Sequence, residues 1–220
     1  MLFTDVLYEN VKDLWEDFSK HPFVDGIGSG KLEQKKFKFY LMQDHKYLLD
    51  YAKVFSLGVA KSNDREIMAK FASLAEGILN TEMDIHRTYM KKLGITEEEI
   101  NSTPASLANI SYTHYMLAVA YGGNVADISV SLLSCLWSYE VIAKNLYNRY
   151  GLSQNNDFYA EWISGYMSES YHELTIWLLG VIDAATKNST EEEKKKLIEI
   201  FVNTTRYEGL FWDMAYAEEM

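Results

Sequence analysis

Cysteine is almost absent from this chain of 220 residues, which contains a single one, Cys135. A lone cysteine excludes an intrachain disulfide bond, and the first ten residues, MLFTDVLYEN, include neither a basic leader nor a long apolar run. These two absences are typical of proteins that stay in a reducing compartment. We therefore expect a cytoplasmic protein.

Basic residues are also scarce, because 21 Lys and Arg stand against 32 Asp and Glu, and the formal net charge is -11. A surface with this average charge repels nucleic-acid phosphates and anionic membranes. The longest apolar stretch, near IWLLGVIDAA, is interrupted by Asp183 and is shorter than the ~20 residues of a membrane-spanning helix. We expect a soluble protein that has neither nucleic acid nor a membrane as a partner.

Proline is limited to Pro22 and Pro104, and alternating, strand-like patterns are hard to find. Apolar residues recur instead at spacings of three and four along almost the whole chain, which predicts α-helices. With 48% hydrophobic residues, the chain has enough apolar side chains for a real core. The sequence therefore predicts an all-α fold in which residues 1–220 form a single domain.

Glycine, proline and capping residues set the predicted helix ends. Gly26, Gly28 and Gly30 predict a flexible turn, and Pro104 suits the first turn of a helix. The predicted helices cover residues 4–20, 32–60, 64–94, 104–123 and 124–151, a sixth that follows the polar stretch 152–157 and is broken near 168–171, and a last one that begins near 189–190. The candidate caps are Asn63 or Asp64 for the third helix, and Ser189 with Glu192 or Thr190 with Glu193 for the last.

Three of these helices carry a polar side chain on a face that is otherwise apolar. Asp44 interrupts the apolar face of the second helix, Cys135 lies on that of the fifth, and Glu208 lies on that of the last. A buried carboxylate without a partner costs several kcal/mol or becomes neutral. Both acids therefore need an explanation.

Each of these residues alone has an ordinary structural explanation. A lone cysteine packs well in a core, and a buried carboxylate can accept a hydrogen bond from a tyrosine or a backbone amide. Together the three supply a nucleophile, a carboxylate that exchanges protons and a carboxylate that anchors a basic ring. Sixteen tyrosines and five tryptophans can line a pocket for a small heterocycle. The spacing leaves open whether the three faces meet.

Four stretches of the chain resemble one protein family. They are FYLMQDHKYLLDYAK around Asp44, LLSCLWSYEVIAKNL around Cys135, WISGYMS around Tyr166 and YEGLFWDMAY around Glu208. In this order, and over nearly the whole chain, they are similar to the TenA/thiaminase II family of aminopyrimidine aminohydrolases. Because Cys135 is present, the resemblance is to the cysteine-containing branch of the family.

This resemblance implies a fold, an assembly and an activity. The fold would be a heme-oxygenase-like helical bundle, assembled as a homotetramer, with no metal or organic cofactor. The pyrimidine substrate, 4-amino-5-aminomethyl-2-methylpyrimidine, would be hydrolysed to 4-amino-5-hydroxymethyl-2-methylpyrimidine and ammonia, in thiamin salvage. Many members of the family also cleave thiamin into its pyrimidine and thiazole halves.

The resemblance also implies roles for single residues. Cys135 would be the nucleophile that adds to the pyrimidine ring, and Glu208 would transfer protons. Asp44 would anchor a ring nitrogen and the exocyclic amine, which makes the ring more electrophilic. The remaining positions that would bind the substrate are Tyr47, Tyr112, Tyr139, Tyr166 and Phe211.

Two other functions remain open. A di-iron oxygenase on the same fold is conceivable, because Glu82 and His86 have i, i+4 spacing and Glu169 with His172 offers a second pair. An ordinary pair on one helix face explains the same spacing. The other alternative is a non-enzymatic regulatory protein, but the net charge of -11 and the lack of a helix rich in Lys and Arg argue against direct DNA binding.

Overall fold

The computed structural model describes residues 2–152 and 157–220, and at residues 81, 82, 84 and 85 it describes the backbone alone. All regular secondary structure in these ranges is helical, so the predicted all-α fold is confirmed. The predicted loop at 152–157 falls mostly on residues 153–156, which lie outside the described residues. The helices are α1 (Phe3–Phe18), α2 (Pro22–Gly28), α3 (Gln34–Lys61), α4 (Arg65–Gly77), α5 (Met83–Lys92), α6 (Glu97–Ser102), α7 (Leu107–Gly122), α8 (Val125–Tyr150), α9 (Asp157–Tyr166), α10 (Glu169–Thr186) and α11 (Glu191–Ala217), with a π-helical segment at Ile78–Glu82 between α4 and α5.

The caps confirm several predicted helix ends. Asp64, and not Asn63, caps α4, because its side chain accepts hydrogen bonds from two backbone N–H groups of the first turn. Thr190 and Glu193 form the capping box of α11, in which each side chain bonds to the backbone of the other residue. Gly151 ends α8 with a φ of 71°, a conformation that favours glycine.

The turn predicted at Gly26 and Gly28 is wrong, because these residues belong to helix α2. Pro22 is the first residue of this helix, where its missing N–H group leaves no intrahelical bond unmade. A Cβ atom at Gly28 would lie 2.7 Å from Leu146 Cδ2, so the absence of a side chain lets α2 approach α8 closely. The chain turns instead at Gly30, where φ is 71°.

The helix start predicted at Pro104 is also wrong. Helix α7 begins at Leu107, after Ser106, whose hydroxyl accepts a hydrogen bond from the backbone N–H of Asn109. Pro104 lies in the link between α6 and α7. The six-residue helix α6 has no counterpart among the predicted helices, because a helix that buries Ile100 alone gives no periodic apolar signal.

The core is centred on α8, which packs against α3, α10 and α11. Its inward side chains, among them Ile128, Leu132 and Ile142, have no exposed surface. In the described part of the chain, α8 is also the one helix that is long and apolar enough to cross a membrane, and 78% of its apolar window is buried inside the molecule. The helix with this length and composition is therefore the central helix of the core.

The π-helical segment sets the orientation of α5. A π-helical turn contains more residues than an α-helical turn and so rotates the residues that follow it about the helix axis. After this segment, Met83, His86 and Met90 of α5 are buried. Helix α5 packs against α3, and this buried face includes the His86 imidazole.

The last turn of α11 is attached to the first turn of α3. The Lys36 ammonium donates a hydrogen bond to the Tyr216 carbonyl oxygen and lies 4.2 Å from the centre of the Tyr216 ring. Lys35 Nζ lies 3.0 Å from Glu218 Oε1. Glu218 has a φ of 56°, in the left-handed region, and ends the helix. We refer to Lys35, Lys36, Tyr216 and Glu218 as the α3–α11 clasp.

Candidate active site

Five helices carry the residues that the resemblance assigns to the site. Most of these side chains are buried, whereas Cys135 and Tyr166 are half-buried. Helix α3 carries Asp44 and Tyr47, α7 carries Tyr112, α8 carries Cys135 and Tyr139, α9 ends with Tyr166, and α11 carries Glu208 and Phe211.

The Glu208 carboxyl group is buried and its pKa is raised. It is 2% exposed, and Tyr112 donates a hydrogen bond to its Oε1 atom at 2.6 Å. The Cys135 side chain provides a second hydrogen bond. Burial raises the pKa of Glu208 to about 7, and the bonds from Tyr112 and Cys135 partly oppose this rise. This acid can therefore give and take a proton near neutral pH.

The Cys135 thiol lies among tyrosine rings. Burial is the main cause of the raised pKa of Tyr40, Tyr47, Tyr112 and Tyr139, and the charge of Cys135 contributes to each of the four. An electrostatic effect on all four hydroxyls requires that they lie near the sulfur. Cys135, Glu208, Tyr47 and Tyr112 therefore form one group, which we call the inner cluster.

Aromatic contacts hold the inner cluster together. The Tyr47 ring centre lies 5.2 Å from that of Tyr112 and 5.8 Å from that of Phe211. The Tyr47 hydroxyl is 3.8 Å from the Met116 sulfur. Tyr207 stacks on the outer side of Tyr112 at 5.5 Å. These contacts fix the rings in place and leave flat aromatic faces around the thiol and the carboxyl group.

Asp44 lies on the wall of an open cavity. This cavity has a volume of about 1250 Å³. Of the predicted site residues, Asp44 and Tyr166 line it, whereas Cys135 and Glu208 are not among its described lining residues. The other described lining residues include Tyr40, His86, Tyr89, Glu161, Trp162 and Tyr171. We call this space the outer cavity.

Tyr40 and Tyr139 lie near both Asp44 and Cys135. Their hydroxyl groups are 3.4 Å apart, which is a long hydrogen bond. The charges of both Asp44 and Cys135 raise the pKa of each of these tyrosines. Both charges therefore act on the same pair of hydroxyls, so the structure brings the acid of α3 and the thiol of α8 near this pair.

Tyr139 and Tyr166 continue the aromatic lining into the outer cavity. The two ring centres are 4.8 Å apart, and Trp162 lies 4.7 Å from Tyr166. Tyr139 also packs against Trp212 of the core at 5.1 Å. The predicted lining residues thus fall into two sets, with Tyr47, Tyr112 and Phe211 around the inner cluster, and Tyr139 and Tyr166 toward the cavity.

Two polar residues at this site are absent from the predicted set. Tyr40 precedes Asp44 by four residues, so the same helical spacing that identifies Asp44 places Tyr40 on its face. His86 Nε2 lies 3.3 Å from Asp44 Oδ2. The sequence holds a signal for His86 as well, because it interrupts the apolar spacing of Met83 and Met90 on α5.

The described side chains give little support to a di-iron centre. Among them, no group of three or more His, Cys, Asp and Glu residues could hold a metal ion. His172 Nδ1 lies 2.6 Å from Glu140 Oε1, away from His86. The side chain of Glu82, the other half of the first predicted pair, lies outside the described residues.

Comparison with known proteins gives one consistent result. The TENA/THI-4/PQQC family profile matches residues 8–218. A Helicobacter pylori protein named Aminopyrimidine aminohydrolase is 45% identical over 216 residues, which cover 98% of this chain and 99% of that protein. A solved structure of a TenA homologue protein from P. horikoshii OT3 has a TM-score of 0.91 and 32% identity, and covers 99% of both chains.

A more distant structure identifies the architecture. A domain of unknown function from Shewanella denitrificans OS217, with a heme oxygenase-like fold, has a TM-score of 0.76 at 14% identity, and the match covers 98% of this chain and 92% of that domain. The predicted heme-oxygenase-like helical bundle is therefore confirmed. With its profile match over nearly the whole chain and its full-length relatives, this chain belongs to the TENA/THI-4/PQQC family.

Proposed function

We propose that this protein hydrolyses 4-amino-5-aminomethyl-2-methylpyrimidine to 4-amino-5-hydroxymethyl-2-methylpyrimidine and ammonia, through a covalent intermediate on Cys135. The observation that carries the proposal is the hydrogen-bonded row of Tyr112, Glu208 and Cys135, in which the carboxyl group has a pKa of about 7. A nucleophile next to an acid that exchanges protons is the arrangement that covalent catalysis needs. The relative from Helicobacter pylori carries the name of this activity.

The first half of the reaction forms a carbon–sulfur bond. Glu208 accepts the thiol proton of Cys135, and the sulfur adds to the pyrimidine ring. The ring loses its aromaticity, and its electrons expel the amine from the 5-methylene carbon. The leaving nitrogen takes the proton from Glu208 and departs as ammonia, so the carboxyl group returns to its ionised form.

The second half of the reaction uses one water molecule. The water adds to the exposed methylene carbon and gives a proton to Glu208, which forms the hydroxymethyl group. The carbon–sulfur bond then breaks, its electrons return to the sulfur, and the ring becomes aromatic again. Glu208 returns the proton to Cys135. One water is consumed and one ammonia is released, so both groups end the cycle in their starting state.

Asp44 is proposed to orient the ring. A carboxylate that accepts hydrogen bonds from a protonated ring nitrogen and an exocyclic amine favours the electrophilic form of the pyrimidine. Its place on the wall of the outer cavity, near the same Tyr40 and Tyr139 hydroxyls that Cys135 affects, supports entry of the substrate from that side. Tyr47, Tyr112, Tyr139, Tyr166 and Phe211 supply the aromatic surface that we propose binds the ring.

The test is an ammonia-release assay on wild-type protein and the Cys135→Ala variant. We expect the variant to lose activity by roughly 10³-fold or more, because no other side chain supplies the nucleophile. Ser129→Ala, which removes a buried hydroxyl from the same helix, is the matched control and should keep full activity. Turnover by Cys135→Ala at the wild-type rate would contradict the covalent mechanism.

A second measurement reports on the thiol directly. Because the chain has one cysteine, iodoacetamide can attach one alkyl group through sulfur, and intact-mass spectrometry counts it. We expect alkylation and loss of ammonia release to proceed together, and the aminopyrimidine to slow both. The same assay with thiamin as the substrate measures whether the thiazole half is accepted as a leaving group.

The assembly and cellular setting belong to the same proposal. We infer one domain over residues 1–220, supported by a continuous core cluster that includes Leu7 and Ala215. We propose a homotetramer from the family resemblance, and light scattering after gel filtration measures its mass. A nucleophilic thiol favours a reducing cytoplasm, and the net charge of -11 disfavours nucleic-acid or membrane partners.

A further inference from the structure

We propose that His86 is a positioning residue, whose Nε2–H group holds Asp44 in the orientation that binds the pyrimidine ring. The inference rests on the proposed function, because it concerns how Asp44 meets the substrate. His86 lies on α5 and Asp44 on α3, so the contact joins two helices that are far apart in sequence.

The contact geometry determines which nitrogen carries the hydrogen. His86 Nε2 lies 3.3 Å from Asp44 Oδ2, and both residues are 6% exposed and line the outer cavity. A carboxylate has acceptor atoms only, so the imidazole must be the donor. The hydrogen therefore lies on Nε2, and Nδ1 carries a lone pair.

The ring is neutral at pH 7, because burial lowers the pKa of His86 to about 4. The contact is thus a hydrogen bond from an uncharged ring and not an ion pair. A cationic partner would neutralise the charge of Asp44, whereas a neutral donor fixes the carboxylate and leaves its negative charge for the substrate. This property matches an anchor that has to attract a protonated ring nitrogen.

The second ring nitrogen makes a purely structural role costly. His86 Nδ1 is buried and has no hydrogen-bond partner among the described groups. An unsatisfied buried polar atom costs about 1–3 kcal/mol, which an apolar side chain of similar size would avoid. A histidine at this position therefore lowers the stability of the fold, and the bond to Asp44 is the interaction that compensates for this cost.

The local fold is built to present this ring. The π-helical segment Ile78–Glu82 ends four residues before His86 and sets the rotation of α5 toward α3. Such segments occur often at functional sites. Because one oxygen of Asp44 faces His86, the orientation of the carboxylate is fixed before the substrate arrives. The entropy cost of ordering this side chain is therefore not added to the cost of binding.

The experiment compares three substitutions that place the donor differently. His86→Gln puts an amide N–H near the position of Nε2, His86→Asn puts one near the position of Nδ1, and His86→Leu removes both. We expect His86→Leu and His86→Asn to raise KM for ammonia release about 10- to 100-fold, which is typical of lost outer-shell contacts. His86→Gln should stay within about 5-fold of the wild type. His114→Leu, at an exposed histidine on α7, is the control.

Two further readouts separate positioning from packing. The melting temperature of His86→Leu should stay close to that of the wild type, because the variant loses the orphan nitrogen and the bond to Asp44 together. Calorimetric binding of the hydroxymethylpyrimidine product should be lost in His86→Leu and His86→Asn and kept in His86→Gln. Unchanged KM and binding in His86→Leu, or equal losses in all three variants, would overturn the positioning role.

Failure of the proposed function gives a different result. If wild-type protein releases no ammonia, the proposed reaction is wrong, and calorimetry then decides on His86 alone. If wild-type protein is active and the three variants do not separate by donor position, the reaction stands and the inference about His86 is wrong. A wild type that neither releases ammonia nor binds the product contradicts both.

Discussion

The inner cluster and the outer cavity are neighbouring regions, but they place their acidic residues in different environments. Glu208 is enclosed by aromatic rings, and burial raises its pKa to about 7. Asp44 lies on the wall of the 1250 Å³ cavity, opposite the Nε2 atom of His86. A group that transfers protons near pH 7 benefits from burial, whereas a group that attracts a cationic ring benefits from a neutral donor behind it. In the proposed mechanism, the first environment serves the chemistry and the second serves recognition.

Among the variants that test this difference between the two acids, Glu208→Gln should have the largest effect. Glutamine keeps the acceptor for the Tyr112 hydroxyl but cannot exchange a proton. We expect kcat for ammonia release to fall by about 10²- to 10⁴-fold, with KM changed much less. Glu199→Gln, at an exposed position on α11, is the control and should behave like the wild type. A KM effect without a kcat effect would assign Glu208 to recognition.

The same variant should change the dependence of stability on pH. The folded pKa of Glu208, about 7, lies above its usual value of 4.5, so its contribution to stability is fully present below pH 4.5 and is lost as the pH rises through 7. Glu208→Gln lacks this titration. We expect its free energy of unfolding, relative to the wild type, to rise by up to about 3 kcal/mol between pH 5 and pH 8. Urea melts at both pH values measure this difference, and parallel curves would contradict a buried, raised pKa.

The smallest expected effect comes from the outer cavity. Tyr166→Leu removes ring contacts with Tyr139 and Trp162, whose centres lie 4.8 and 4.7 Å away. Aromatic pairs of this kind contribute about 0.5–1.5 kcal/mol, so we expect KM to rise about 3- to 10-fold with kcat unchanged. Steady-state kinetics beside Tyr147→Leu, at an exposed tyrosine, check this. A drop in kcat alone would place Tyr166 with the inner cluster.

The long helices could be predicted from the sequence, and the short ones could not. Helices α3, α8 and α11 repeat apolar residues over several turns, so their period is clear. Helix α2 combines Pro22 with Gly26 and Gly28, residues that usually interrupt helices, and it forms because its apolar side chains are buried. Tertiary packing, which local patterns do not contain, decides such segments.

The candidate site was predictable to a similar extent. Polar interruptions of apolar faces identify Asp44, Cys135 and Glu208, and the structure places Glu208 within hydrogen-bonding reach of Cys135. The approach of Asp44 and Cys135 to the same hydroxyls of Tyr40 and Tyr139 depends on how the helices cross. The pairing of His86 with Asp44 also joins distant parts of the chain, and spacing within one helix carries no information about it.

Through the α3–α11 clasp, the C-terminal end of the chain helps to align helices α3 and α11. Lys36 contacts Tyr216, and Lys35 contacts Glu218. Helices α3 and α11, which carry Asp44 and Glu208, are therefore joined at one end. Removing the tail from Glu218 onward would remove the ion pair with Lys35 and keep the contacts of Lys36 with Tyr216, without changing any reacting group. The relative orientation of the Asp44 and Glu208 carboxyl groups thus depends on residues that themselves take no part in the chemistry.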